Sequence, residues 1–270
     1  MTSSPVEDRG RIPGPGAALL LLAVVALFVA VGIPLQILLG EAGLLVSQVV
    51  FLLLPVLVFL RRGGFDFRMT LALRTPSLAH VGGGVLLLAG GLQLALFLAW
   101  VQSLLVPVPV EYLAEMAGSL GADSVGRFLW LILIAAALPA VAEEVLFRGV
   151  VLSAFRQRLP TGLAIVAAGL IFGLFHLTPQ TAFRFLPTAW LGIVLGWAVV
   201  LSRSLPLGMM LHFVNNATVL AMISTPVVRS ELPGRVTQME APVALLFTGG
   251  ILFLIGLRIL RTAPARGDGF

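Results

Sequence analysis

The chain has 270 residues, of which 59% are hydrophobic and 11% are charged, and its mean hydropathy is +1.08. A soluble surface needs more charge than this, so the composition excludes an ordinary soluble domain. The net charge of +5 comes from arginine without lysine, and the arginines fall between apolar runs, which argues against a nucleic-acid partner. Cysteine is absent, which excludes disulfides, a thiol nucleophile and cysteine-based zinc sites.

The apolar residues come in long runs, and these predict an all-α fold, a polytopic transmembrane helical bundle of about eight spans. Lipid offers no hydrogen-bond partner to the backbone, so each apolar run must satisfy its own backbone groups as a helix. Residues 1–16 are predicted to be a polar N-terminal tail, and residues 17–270 a single integral membrane domain. The predicted spans are 17–39, 43–60, 80–106, 125–159, 161–177, 185–201, 206–223 and 242–260.

Glycine and proline predict where the helices depart from simple packing. The third span contains five glycines, and a Gly192-x-x-x-Gly196 pattern lies in the sixth; both favour close approach of neighbouring helices. Pro139 removes a backbone hydrogen bond inside the fourth span and predicts a kink one turn before Glu143. Residues 107–126 are predicted to form the longest internal loop, with room for an amphipathic turn.

The distribution of arginine predicts the orientation in a cell membrane. Most arginines follow the even-numbered spans or lie near the chain ends, whereas the 107–126 loop is acidic. Cytoplasmic loops are rich in arginine, so the pattern predicts a multi-pass protein with both termini in the cytoplasm. Membrane lipid is therefore an expected partner.

A few strongly polar side chains interrupt the apolar runs. A charged group at the bilayer centre costs about 2.5–3.5 kcal/mol on insertion scales, so such groups usually face the protein interior and mark function. The residues concerned are Glu143, Glu144, Arg148, His176, His212, Asn215 and Asn216. We interpret them as one buried site.

In the fourth span, Glu144 and Arg148 are four residues apart and can pair on one helix face. Glu143 points about 100° away around the helix axis, so it is free to face another group. With His176 it would activate a water molecule as a general base.

In the seventh span, His212 and Asn216 also share a face, with Asn215 close to it. Their donors would stabilise the oxyanion that forms when an amide is attacked. The residues also permit a metal, because one carboxylate and two imidazoles form a known catalytic zinc set; here the ligands would be Glu143, His176 and His212. The spacing does not choose, so zinc and a metal-free glutamate mechanism both stay open.

Three motifs in order resemble the signature of the CPBP family: Glu143-Glu144-x-x-x-Arg148, Phe172-x-x-x-His176 and His212-x-x-x-Asn216. That family covers type II CAAX prenyl endopeptidases and bacteriocin-processing or self-immunity (Abi) proteins. The resemblance covers about residues 125–224, the expected catalytic core. It implies an intramembrane protease in which Glu143 and His176 activate water, and His212 and Asn216 stabilise the oxyanion. Glu144, Arg148 and Phe172 would support the site.

The expected function is hydrolysis of a peptide bond in a membrane-tethered protein or peptide. One alternative is a non-catalytic membrane immunity or partner factor that keeps the motifs. Another is a proton-coupled transporter that uses Glu143 and the histidines as a relay. A relay does not need Asn216 beside His212, which favours hydrolysis.

Overall fold

The computed structural model describes residues 12–228, 230–231 and 240–264. Within these ranges the chain is helical and forms no strand, as the all-α prediction requires. Most of the predicted polar tail, and several arginines used to predict the orientation, lie outside the described residues.

Seven of the described helices are long and apolar enough to cross a membrane, and one apolar helix is shorter. Together they correspond one to one to the eight predicted spans, so the predicted fold class is confirmed. The helices used below are α1 (Pro15–Leu39), α2 (Glu41–Arg62), α3 (Phe67–Leu71), α4 (Leu78–Ser103), α5 (Val110–Leu120), α6 (Val125–Phe155), α7 (Thr161–Phe175), α8 (Ala182–Ser202), α9 (Leu205–Ser224) and α10 (Val243–Thr262).

Serine side chains mark where three of the spanning helices begin. Ser77, Ser124 and Ser204 precede α4, α6 and α9, and each side chain accepts a hydrogen bond from the backbone N–H three residues later. This bond satisfies one of the donors that a helix start leaves unpaired. In α9 the cap is followed by Pro206 in the first turn, where a missing N–H costs nothing.

The loop predicted at residues 107–126 is wrong in its central part, because Val110–Leu120 forms α5, a helix of three turns where the sequence suggested one amphipathic turn. Leu113 and Ala117 lie on one face and are buried, whereas Glu111 and Glu115 are exposed. This spacing is that of an amphipathic helix. The prolines before it and the short length obscured the pattern in the sequence.

Helix α6 is irregular on both sides of Pro139. Residues Ile132–Ala137 and Val145–Leu152 are π-helical, and the intervening Leu138–Glu144 segment is α-helical with Pro139 in its first turn. The kink predicted at Pro139 stays a prediction, and the structure shows a widened helix on both sides of this residue. Residues 142–152 are all buried, so this segment runs through the protein interior with its two glutamates.

Glycines allow two helix pairs to approach closely. A Cβ atom on Gly90 of α4 would collide with the backbone of Gly249 and Phe253 in α10. A Cβ atom on Gly192 of α8 would lie 2.8 Å from the Cα of Gly169 in α7. Both glycine patterns therefore have the packing role predicted for them.

Helix α7 is short for a membrane span. Its 15 residues cover about 22 Å at 1.5 Å per residue, less than the roughly 30 Å of a hydrocarbon core. His176 follows directly as its C-cap, and a turn at residues 178–181 leads into α8. Non-helical backbone at membrane depth is tolerated where it lines a polar cavity.

Candidate active site

A cavity of about 310 Å³ lies among α2, α5, α6, α7, α8 and α9. Helices α6, α7 and α9 each contribute a predicted site residue to its wall. Glu143, His176, His212 and Asn216 all line it, as does Phe172. The rest of the wall is mainly apolar, and α5 closes one side with Met116 and Leu120.

Glu144 and Arg148 form the predicted ion pair inside α6. Arg148 Nη1 donates to Glu144 Oε1 over 2.6 Å, and both side chains are almost fully buried. Arg148 Nη2 donates to the Gly192 carbonyl oxygen over 3.0 Å, which ties α6 to α8. Glu144 fits against α9 because the residue opposite it is Gly208, whose Cβ would lie 2.9 Å from Glu144 Oε2.

The structure adds a contact that the spacing did not predict. His212 Nδ1 lies 3.0 Å from Glu144 Oε1, so Glu144 joins the arginine of its own helix to the histidine of α9. A carboxylate accepts, and therefore His212 carries a proton on Nδ1 in this contact. The pair sets the orientation of the imidazole and leaves Nε2 directed toward Glu143.

Glu143 lies between the two histidines. Its Oε2 is 3.5 Å from His176 Nε2 and 3.9 Å from His212 Nε2. The same oxygen is buried and accepts no hydrogen bond from any described residue. A buried acceptor without a partner is costly, so this oxygen is available for a donor brought in from the cavity.

The ring of His176 is fixed by backbone. Its Nδ1 is 2.8 Å from the Phe172 carbonyl oxygen, and a carbonyl can only accept, so Nδ1 is the donor. In the neutral ring Nε2 is then an acceptor that faces the Glu143 carboxylate. Two acceptors 3.5 Å apart need a proton between them or a donor that serves both.

Asn215 and Asn216 form a side-chain pair on α9. Asn215 Nδ2 donates to Asn216 Oδ1 over 2.9 Å, with the amide orientations assigned from this contact. The Asn216 oxygen is thereby engaged, its Nδ2 donors remain for another acceptor, and both residues line the cavity. Asn215, a second candidate donor from sequence, thus orients its neighbour.

Phe172 connects the polar residues. Its ring is 4.6 Å from the His176 ring centroid and 5.9 Å from that of His212. The Arg148 guanidinium carbon lies over the same ring, 4.6 Å from its centroid. The edge of Phe147 packs against it at 5.0 Å. These contacts limit the movement of both imidazoles.

The structure brings together all seven residues predicted for the site and adds three that the sequence did not single out for it. Gln48 of α2 and Arg184 of α8 line the cavity. Buried Gln102 of α4 holds the start of α8 through hydrogen bonds to the Ala182 oxygen and the Leu186 N–H. Each lies in an apolar run or a loop without a recurring motif, and only the tertiary fold places Gln48 and Arg184 at the cavity and Gln102 behind the start of α8.

Among the described residues, no group of three histidine or acidic side chains is arranged to hold a metal ion. Glu143 Oε2 nevertheless lies 3.5 Å from His176 Nε2 and 3.9 Å from His212 Nε2, and Glu144 engages the other ring nitrogen of His212. Zinc and a metal-free glutamate mechanism both stay predictions, and the chemistry below is written for the side chains alone.

The chain was compared with known proteins. Residues 125–218 match the model of a family described as type II CAAX prenyl endopeptidase Rce1-like. No curated protein and no solved structure matches the chain. The family match indicates a membrane protease, and with the apolar helices it supports a multi-pass membrane protein.

The matched segment begins at the first residue of α6 and ends within α9, so it contains all three predicted motifs. It agrees with the resemblance to the CPBP family and supports its CAAX protease branch; bacteriocin processing and immunity stay predictions. Residues 125–218 of this chain are thus similar to the Rce1-like type II CAAX prenyl endopeptidases.

Proposed function

We propose that this protein is an intramembrane endopeptidase that hydrolyses a peptide bond in a membrane-tethered protein or peptide. The observation that carries the proposal is the position of Glu143 Oε2, which is buried, has no hydrogen-bond partner among the described residues and faces His176 Nε2 at 3.5 Å. A water molecule that enters beside this pair and donates to both atoms would satisfy them once the carboxylate and the imidazole move slightly apart. It would then be held where a base can take its proton.

The first chemical step is attack by that water on the carbonyl carbon of the substrate. Glu143 takes one proton from the water as the new carbon–oxygen bond forms, and the carbonyl oxygen becomes an oxyanion. His176 Nε2 accepts a hydrogen bond from the water and so orients it for attack. Nε2 is the acceptor because the Nδ1–H of the same ring is held by the Phe172 carbonyl oxygen. The Phe172 ring fixes the plane of the imidazole.

The oxyanion is stabilised from α9. Asn216 Nδ2 donates to it, and His212, which the Glu144 carboxylate orients through Nδ1, turns its Nε2 edge toward the same region. The tetrahedral intermediate then collapses as the carbon–nitrogen bond breaks. The leaving nitrogen takes the proton that Glu143 removed from water, so the carboxylate is regenerated.

The setting restricts the substrate class. The cavity is reached within the membrane-spanning bundle, and its walls include Leu191, Val219 and Ile223. A soluble folded protein cannot present a peptide bond there, whereas a chain tethered to the membrane can. We retain the orientation with both termini in the cytoplasm as part of this proposal.

The decisive experiment is cleavage by Glu143→Gln protein in detergent or proteoliposomes. We expect kcat to fall by about 10²–10⁴-fold, the usual contribution of a general base, with an unchanged unfolding temperature. Glu115→Gln is the matched control, because Glu115 is an exposed glutamate of α5 outside the cavity wall. A Glu143→Gln protein that cleaves as fast as the wild type would contradict the mechanism.

The same preparations separate the rival functions. Proton-dependent solute flux that Glu143→Gln abolishes, without any cleavage, would favour the transporter. A full biological effect from Glu143→Gln would favour the non-catalytic partner factor.

Metal content provides an independent test of the mechanism. We expect cleavage to persist after chelation, with no stoichiometric metal in purified protein. Elemental analysis of wild type beside His176→Ala and His212→Ala measures this directly. About one zinc per chain, lost in both variants, would instead assign the histidines as ligands in the manner of catalytic zinc sites.

A further inference from the structure

We propose that this protein binds the phosphate of an anionic phospholipid headgroup in a second, smaller pocket. This arginine pocket lies among α3, α6 and α8, and its wall includes Thr70, Arg148, Arg156 and Arg203. It shares one residue, Arg148, with the candidate active site. Binding there is separate from peptide hydrolysis, so it can be tested without measuring cleavage.

The wall of the arginine pocket is strongly basic. The pocket has a volume of about 100 Å³, and its described wall contains three arginines and no acidic residue. Arg156 and Arg203 are exposed, and their side chains make no hydrogen bond or ion pair with a described residue. Like charges that share a site destabilise one another, and guanidinium groups match the oxygens of a phosphate. The pocket therefore favours an anion, and a phosphate above all.

A buried hydroxyl points independently to a ligand. Thr70 of α3 is only 2% exposed and lines the pocket, and its Oγ1 has no hydrogen-bond partner among the described residues. A buried hydroxyl without a partner is costly. A phosphate oxygen is a strong acceptor, so an anion in the pocket would satisfy this donor.

Arg148 retains donors for the same anion. A guanidinium has five N–H groups, and Arg148 gives two of them to protein oxygens, those of Glu144 and Gly192. The remaining N–H groups can serve a ligand while the ion pair with Glu144 stays intact. One guanidinium would then connect the bound phosphate to the carboxylate that orients His212.

The backbone holds the pocket in shape. Among the described non-glycine residues, only Ala72 and Arg203 have positive φ angles, 44° and 52°, and both line the pocket. This left-handed backbone is uncommon outside glycine and persists only where the surroundings enforce it. Here the Leu205 N–H donates to the Ala72 oxygen over 3.0 Å. Ser204 Oγ donates to the Arg74 oxygen over 2.5 Å, so the turn that carries Arg203 is fixed against the chain after α3.

The position of the pocket identifies the anion as part of a lipid. Arg156 directly follows α6 and Arg203 directly follows α8, and both helices are long and apolar enough to span a membrane. The end of a spanning helix lies near the membrane–water interface, at the level of the headgroups. Beside the pocket, Phe67, Met69 and Leu73 are between 37% and 52% exposed. These apolar side chains offer a surface to the acyl chains of a lipid whose phosphate is in the pocket.

The size of the pocket selects the part of the lipid that enters. A volume of about 100 Å³ corresponds to about three water molecules in the liquid, so a compact tetrahedral group fits, whereas a nucleotide or a peptide is too large. The α6 and α8 ends are those of the fourth and sixth spans, on the side that the arginine pattern predicts to be cytoplasmic. Anionic phospholipids give that leaflet its negative surface potential.

The test measures the binding of short-chain, water-soluble phospholipids to the purified full chain in neutral detergent. Phosphatidylglycerol is the anionic probe, phosphatidylcholine the zwitterionic one, and inorganic phosphate the free anion. For wild type we expect phosphatidylglycerol to raise the unfolding temperature progressively with concentration, because a ligand that binds the folded state stabilises it. Phosphatidylcholine and inorganic phosphate should have much smaller effects at the same concentrations.

Two variants test the two kinds of contact. Arg203→Gln and Thr70→Val should each raise the apparent Kd for phosphatidylglycerol by about 10–100-fold, as for a lost hydrogen bond to a charged group. Without lipid, Thr70→Val should be at least as stable as the wild type, because it keeps the side-chain shape and removes the unpaired hydroxyl. Arg158→Gln is the control, since Arg158 is exposed, lies two residues after Arg156 and does not line the pocket. It should bind the lipid as the wild type does.

Three results would overturn the assignment. Equal effects of phosphatidylglycerol and phosphatidylcholine would show that the pocket does not select an anionic lipid. An equal effect of inorganic phosphate, lost in Arg203→Gln, would identify the ligand as free phosphate. Phosphatidylglycerol binding that Arg203→Gln and Thr70→Val leave unchanged, or that Arg158→Gln weakens as much as they do, would place the lipid on the general basic surface of the protein.

Discussion

Replacing Arg148 with methionine is expected to destabilise the protein more than any other single change at the site. Both side chains of the Glu144–Arg148 pair are buried, and removing Arg148 leaves the Glu144 carboxylate with the His212 Nδ1–H as its one remaining donor among the described residues. Breaking a buried pair in this way costs about 3–5 kcal/mol. The change also removes the hydrogen bond to the Gly192 oxygen, which links α6 to α8. Thermal unfolding in mild detergent measures the loss.

A second variant separates charge from packing. Glu144→Gln with Arg148→Met removes both charges, so we expect it to recover much of the lost stability, because neutral replacement of a buried pair is often tolerated. This double variant should nevertheless cleave more slowly than the wild type, because His212 Nδ1 then lacks its carboxylate partner. Arg158→Met, an exposed change, is the control and should unfold like the wild type. Arg148→Met protein as stable as wild type would mean that the pair carries little of the stability.

Much of this site could be predicted from sequence because its residues lie on helices at fixed spacing. Glu144 and Arg148 are four apart in one helix, so their pairing follows from helix geometry alone. The convergence of Glu143, His176 and His212 could be predicted because polar groups in apolar spans seek one another. The hydrophobic runs likewise gave the eight spans.

Other features depend on contacts between helices that no spacing encodes. The Glu144–His212 contact joins residues 68 positions apart and decides which ring nitrogen of His212 is free. Arg184 looks like an ordinary loop arginine until the turn at residues 178–181 folds it onto the cavity. Gln102 appears as one polar residue in an apolar span, yet it holds that turn. The length of the amphipathic α5 was underestimated because its apolar face covers only a few residues.

Glu143 and His176 are expected to act as one catalytic unit. Each of Glu143→Gln and His176→Ala should lower kcat/KM by about 10²–10⁴-fold, the range for general acid–base catalysis. The double variant should be no slower than the slower single variant, because the water is activated only when both acceptors hold it. Single- and double-variant kinetics on one peptide measure the interaction.

The comparison variant is Asn216→Ala, which removes an oxyanion donor and leaves the Glu143–His176 contact in place. By itself, Asn216→Ala should lower kcat by about 10²–10³-fold. In the Glu143→Gln background its effect should be retained, because an oxyanion formed by any residual attack still needs the donor. If the Glu143 and His176 effects multiply independently, the two residues act at different steps. His176 would then serve the leaving group, and the water would be held by Glu143 alone.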